Sequence, residues 1–431
     1  MRIAELALAF FALLALSVAG CGNSRPQLEI SSYSDQGDGT VKVEYTLTMF
    51  EPTDASIVVQ YSPDTGSHWR SATAGSGGDG TTNLTTSKDG TAHTYIWDYY
   101  ADMGAGLHKG VILRLTPYAE VGHGKGDSTG AFDIGSPLLY CANAGANTVS
   151  VVDTQKNLVI STIDVSTSPH SIVALPNNLF VYVTNELDDT VSVIKTLDNS
   201  WVEDIDVGLA PEGLVSSPDS AKVYVVNSGE DPGTVSVIEV SSNTVVSEIT
   251  VGNGPTDIAI TPAGDRLLVT NSLDDTVTVI DAQTESVIST VAVGLEPQGI
   301  ACSRNGKYTY VCNYGEDTVS VINTYRPDIS PSTFDVGTGP ISIAVSADGA
   351  SIYVVNSDSD DVWVIDADTL TVADTVPVGS EPHGITVSSD GAILFVANRV
   401  SSTVSRINAE TFAVTSITVG INPVDVAILS K

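Results

Sequence analysis

Basic residues are scarce in this chain. Lys and Arg number 18 in 431 residues against 52 Asp and Glu, a formal net charge of -34. Nucleic acid is therefore a poor partner, since phosphate binding needs clustered cations. Charged residues of both signs reach only 16%, which excludes a coiled coil and a disordered chain. No apolar run is long enough for a comfortable membrane span, which needs about 20 residues. Enzyme signatures are missing too. There is no His-Glu-x-x-His, no phosphate-binding loop of the Gly-x-x-x-x-Gly-Lys-Ser/Thr type and no Cys-x-x-Cys-His haem site. What abounds is Gly, Ser, Thr and Val, a β-rich and turn-rich composition. The length leaves room for two or three ordinary domains, or one small and one large domain.

The amino terminus carries Arg2, an apolar run from Leu6 to Leu16 and then small residues, the pattern of a secretory signal. It ends in Val18-Ala19-Gly20-Cys21, which resembles the lipobox of bacterial lipoproteins. That resemblance implies cleavage after residue 20, lipidation of Cys21 and membrane attachment through its acyl chains. Gly22 in place of Asp implies the outer membrane or cell surface. Three cysteines remain, Cys141, Cys302 and Cys312, an odd number that cannot all pair within one chain. A turn at Asn305-Gly306 sets Cys302 opposite Thr309, and three buried free thiols are expected.

Residues 22–26 read as a tether, and residues 27–135 as a small β-sandwich. Val41, Val43, Tyr45 and Leu47 alternate on one strand, and Ile57 to Ser62 forms another before the turn Pro63-Asp64-Thr65-Gly66. Further strands are expected at 93–97, 111–116 and 130–134, at a spacing that suits a sandwich. The segment from Tyr61 to Trp69 resembles fibronectin-III-like modules. Trp69 and Trp97 are expected in the core, and His68, His93, His108 and His123 on the surface.

Residues 136–431 repeat. Tyr182-Val183-Thr184-Asn185 has counterparts ending in Asn143, Asn227, Asn271, Asn313, Asn356 and Asn398, spaced by 42, 42, 44, 42, 43 and 42 residues. Such a period marks an array of small β units. A proline opens each unit, at 169, 211, 255, 297, 340, 382 and 423, where a strand start tolerates it. Three positions on stands an aliphatic: Ile172, Leu214, Ile258, Ile300, Ile343, Ile385 or Val426. This pattern resembles the YVTN-type, YncE-like β-propeller repeats of bacterial and archaeal surface proteins. The fold class that follows is all-β: a seven-bladed propeller preceded by the sandwich. The first copy starts at Leu138 with its second strand, and its missing first strand stands last, from Pro423 to Leu429. The carboxyl end is thus expected to close the first blade and leave no open edge.

Two sets of residues are candidates for binding. The column after each proline begins the innermost strand at the channel mouth and includes His170, Glu212, Gln298 and His383; the next column adds Asp257 and Asp425. His170 and His383 flank the closing blade, a gap wide for metal ligation. The second set is acidic: Asp188, Glu230, Asp274, Glu316 and Asp360, in equivalent turns, able in principle to attract Ca²⁺ or a cationic partner. The fourth position after each motif asparagine is always a capping residue, which points to turn chemistry there. The expected function is a lipid-anchored, monomeric envelope protein that presents a non-catalytic binding platform to an envelope protein or glycan. The rival is a lactonase-like hydrolase with a channel metal.

Overall fold

The computed structural model describes residues 25–36 and 39–429. The signal run and Cys21 lie outside these residues, as do residues 22–24 of the expected tether. The chain divides into two compact units, Met1–Gly135 and Ser136–Lys431.

The first unit holds two antiparallel sheets. One orders Gln27–Asp35, Thr40–Thr48 and Thr91–Asp98. The other centres on Ser56–Ser62 and His108–Ala119, with four short strands added. Val41, Val43, Tyr45 and Leu47 all point into the core, as strand alternation demands. Trp97 is fully buried, and its indole N–H donates to Asp102 at 2.7 Å. Trp69 departs from the expected core placement. It is half-buried, with the Arg114 guanidinium 4.0 Å over its ring. His93 also departs from expectation: its side chain is only 8% exposed, stacked on Tyr45 and bonded to the Thr85 carbonyl. A short polar-flanked histidine can pack flat against an aromatic neighbour, which linear sequence does not reveal.

The second unit is a seven-bladed β-propeller. Seven four-stranded antiparallel sheets follow one another, six of them built from consecutive strands. The seventh combines Leu138–Asn143, Thr148–Asp153 and Leu158–Asp164 with the last strand, Pro423–Ile428. Here Leu139 pairs Ile428 and Cys141 pairs Val426. The ring is closed by that pairing, and this sheet is blade 1; blades 2 to 7 follow from Pro169 onward.

The motif strand is the second in each blade. Its residues are buried on both faces, as at Val181 to Asn185, because a neighbouring blade covers each face. Its runs are therefore continuously apolar. The outermost strands are largely exposed, and six of the seven keep one buried residue, such as Ile205, Ile249 and Val291; in blade 5 Phe334 is only half-buried. The aliphatic column after each proline packs between blades. Ile258 joins Tyr224, Val226 and Val237 of the preceding blade, and Val426 joins Phe395 and Val404.

Cys302 does pair with Thr309. Cys141 and Cys312 are buried free thiols; Cys302 is free but only half-buried, because it lies at the strand end beside the turn.

Candidate functional site

The seven innermost strands surround a cavity of about 350 Å³. It is lined by every channel candidate: His170, Glu212, Asp257, Gln298, His383 and Asp425. Proline starts each strand and, Val424 apart, the next two residues line the cavity. Glycine is required at three of the second positions, Gly213, Gly299 and Gly384. A Cβ on Gly213 would stand 2.7 Å from the Asp257 Cα, and one on Gly299 equally close to the Ser342 Cα.

The two histidines meet. Their rings lie 6.0 Å apart, edge to face, so the gap inferred from blade counting is too large. The intervening strand has Val424 at the equivalent position. The His383 Nδ1 lies 3.0 Å from the Val424 carbonyl, which can only accept, so Nδ1 carries the proton. Burial lowers His383 to about 3, helped by His170 and Arg399. Burial and Arg399 likewise lower His170 to about 4, and its Nδ1 has no partner. Both rings are neutral at physiological pH.

The channel aspartates hold the ring together. Asp425 accepts the Ser171 hydroxyl at 2.7 Å and the Ile172 amide at 3.0 Å from the next blade, and the Val426 amide of its own strand at 2.8 Å. Asp257 accepts the Ile258 amide at 2.8 Å and the Ile300 amide of the next blade at 3.1 Å. Burial outweighs these bonds and raises Asp257 to about 7 and Asp425 to about 6. Glu212 is raised to about 7, again by burial first; the Ser228 hydroxyl opposes the shift and Glu186 adds to it.

The acidic turns are also engaged, over a longer range than ordinary turn chemistry. The Asp189 carboxylate accepts the Ala210 amide, Asp275 the Glu296 amide, Asp317 the Gly339 amide and Asp360 the Glu381 amide. Each acceptor reaches the loop that leaves its blade for the next, not its own turn. Asp188 and Asp274 reach the loop that enters the blade, at the Thr167 and Asn253 amides. The Thr167 amide holds the Asp188 carboxyl below the usual range. An acid pair thus clasps two successive crossover loops. Glu230 is half-buried and Glu316 exposed in the equivalent turns. Among the described residues, no group of three or more His, Cys, Asp or Glu is placed to hold a metal ion.

A glycine column also serves the fold and was visible in the sequence as Val-Gly pairs. Gly208, Gly252, Gly294, Gly337, Gly379 and Gly420 sit where a Cβ would come within 2.5–2.7 Å of a motif asparagine. Those asparagines are fully buried. The Asn271 side chain donates to Thr276 and Thr278 and accepts the Gly252 amide at 3.1 Å, which fixes its amide orientation.

Fold and site together define a β-propeller protein. Two family models match parts of it: "YNCE-like beta-propeller" over residues 206–330 and "Lactonase, 7-bladed beta-propeller" over residues 312–422. No curated protein matches the chain. Among solved structures, hydrazine synthase of Kuenenia stuttgartiensis is similar at 22% identity and a TM-score of 0.60, covering 63% of this chain and 92% of that one. A functionally unknown protein from Desulfotomaculum acetoxidans is similar at 16% identity and a TM-score of 0.63, covering 68% of this chain and 99% of that one. At these identities the likeness is one of fold.

Proposed function

We propose that this is a lipid-anchored protein of the bacterial cell envelope, held through Cys21, with the first unit as a fibronectin-III-like spacer and the propeller as a non-catalytic binding platform. One observation carries the reading. The channel aspartates are spent on amides that join neighbouring blades, as with Asp425 on Ile172 and Asp257 on Ile300. The carboxylates that a lactonase-like metal would need are thus structural ties, and burial disfavours their ionised forms. Such a donor set does not fit a divalent ion held by ionised oxygens. The partner is an envelope protein, and no resident cofactor is required.

The test compares residues 22–431 with a Glu212→Ala variant. Metal content and hydrolysis of a panel of lactones are measured on both. The platform reading expects substoichiometric metal and no turnover. Stoichiometric metal with turnover lost in the variant establishes the hydrolase instead. Addition of Ca²⁺ is expected to leave the melting temperature unchanged, since a specific ligand of the native state raises it.

A further inference from the structure

The loops at the proline end of the propeller carry exposed aliphatic side chains, set out blade by blade. Each blade brings two loops together there: the turn after the motif asparagine and the crossover before the strand-opening proline. They bond at equivalent positions, as in Gly229 to Leu209, Leu273 to Asn253 and Gly145 to Ile421. Six of these loop pairs present one large aliphatic. In blades 2, 4 and 7 it stands on the turn, as Leu187, Leu273 and Val400; in blades 3, 5 and 1 it stands on the crossover, as Leu209, Leu295 and Ile421. All six are between 47% and 78% exposed.

The opposite loop makes room. A Cβ on Gly229 would lie 2.8 Å from the Leu209 Cβ, one on Gly315 3.0 Å from the Leu295 Cβ, and one on Gly254 2.6 Å from the Leu273 Cγ. Where the turn carries Gly145, Gly229 or Gly315 the aliphatic stands on the crossover, and where the turn carries the aliphatic the crossover has Thr167, Asn253 or Ser380, so each pair presents one aliphatic. Turn chemistry alone gives no reason for an apolar side chain at either place. Blade 6 breaks the pattern: Asp358 stands where the aliphatic would, exposed, with its carboxylate 3.2 Å from the Tyr314 hydroxyl. These same loops carry acids, among them Glu186, Glu230, Glu296, Glu316 and Glu381, and a single basic residue, Arg399.

We infer that this face docks a basic amphipathic segment of a protein partner, its apolar side chains on these aliphatics and a Lys or Arg on Asp358. The inference rests on the platform reading and gives it a surface and a partner chemistry. Charge complementarity selects the occupant: exposed aliphatic side chains interspersed with acids repel anionic surfaces and admit a cation-bearing apolar segment. A membrane surface rich in anionic headgroups is disfavoured by the same charges.

The experiment immobilises the purified full chain and measures binding of a synthetic 18-residue helix with one Leu face and one Lys face. Controls are the same peptide with Ser for Leu, the same with Glu for Lys, and vesicles of phosphatidylcholine. The parent peptide is expected to bind, and both substituted peptides to bind at least tenfold more weakly. Combining Leu187→Ser, Leu273→Ser and Leu295→Ser is expected to weaken parent binding at least tenfold. Leu197→Ser, at a turn elsewhere that leaves Leu197 83% exposed, is expected to leave it unchanged. Asp358→Asn is expected to weaken it several-fold and reduce its salt dependence. Equal binding of the Ser-for-Leu peptide overturns the inference, since charge alone would then suffice. Equal loss from Leu197→Ser, or retention of phosphatidylcholine vesicles, overturns it as well. If the peptide fails to bind, the surface assignment falls, whereas the platform reading falls only to the metal and hydrolysis assay.

Discussion

Glu212 shows how a single side chain reports on the channel. Its carboxyl is half-buried beside Glu186, and burial lifts it from an ordinary value of 4.5 to about 7. Between those two values the folded protein holds a proton that the unfolded chain has released. Stability therefore falls as pH rises through this window, and below it the group is neutral in both states. Glu212→Gln keeps the shape without the ionisation. The variant is expected to match the parent at pH 4 and to exceed it by about 1–3 kcal/mol at pH 8, because a tenfold change in proton affinity is worth about 1.36 kcal/mol. Denaturant titrations at the two values measure this. Equal stabilities at pH 8 mean that the carboxylate is hydrated by the channel. The histidines act in the opposite sense. His170 and His383 are held below their ordinary 6.5, so they add stability that is present above that value and lost as pH falls toward 4 and 3.

The crossover loop shows why the glycine column matters. Gly294 lies against Asn313, and a Cβ there would stand 2.5 Å from the asparagine Cγ. Asn313 cannot retreat, since it donates to Thr318 and Ser320 at 2.9 Å each and accepts the Gly294 amide. Gly294→Ala is expected to cost about 1–3 kcal/mol by overpacking. Adding Asn313→Ala removes the clash, so the double variant is expected to lose less than the sum of the single losses. Chemical unfolding of all three proteins tests this, and additive losses refute the contact. The sequence displays this level of organisation well. Seven copies of one local pattern expose the strands, the prolines, the aliphatic column and the closing strand without any coordinates. What it conceals is reach. Asp189 and Ala210 stand 21 residues apart, so their bond cannot be told from an ordinary turn cap by linear reading. The meeting of His170 and His383 depends on the radius of the closed ring, which no spacing along the chain encodes.

For the propeller as a whole, closure depends on the strand Pro423–Ile428. The last strand pairs with Leu138–Asn143 and buries Val424 and Val426 at 4% and 3% exposure. Burying such side chains contributes about 1.5–3 kcal/mol each. The same strand supplies Asp425, which ties blade 1 to Ser171 and Ile172 of blade 2. Its removal thus opens one blade, bares an apolar strand edge and unties the neighbouring blade. Deleting residues 423–431 is expected to give a protein that aggregates or melts without cooperativity, because an uncovered edge templates pairing with other chains. Adding a synthetic peptide of residues 421–431 is expected to restore a cooperative melt in a concentration-dependent way, since it binds only the folded ring. Calorimetry of the truncated protein with and without the peptide decides the matter. A soluble truncate that melts sharply alone, and does not respond to the peptide, would mean that six blades and a remnant hold the circle without the joint.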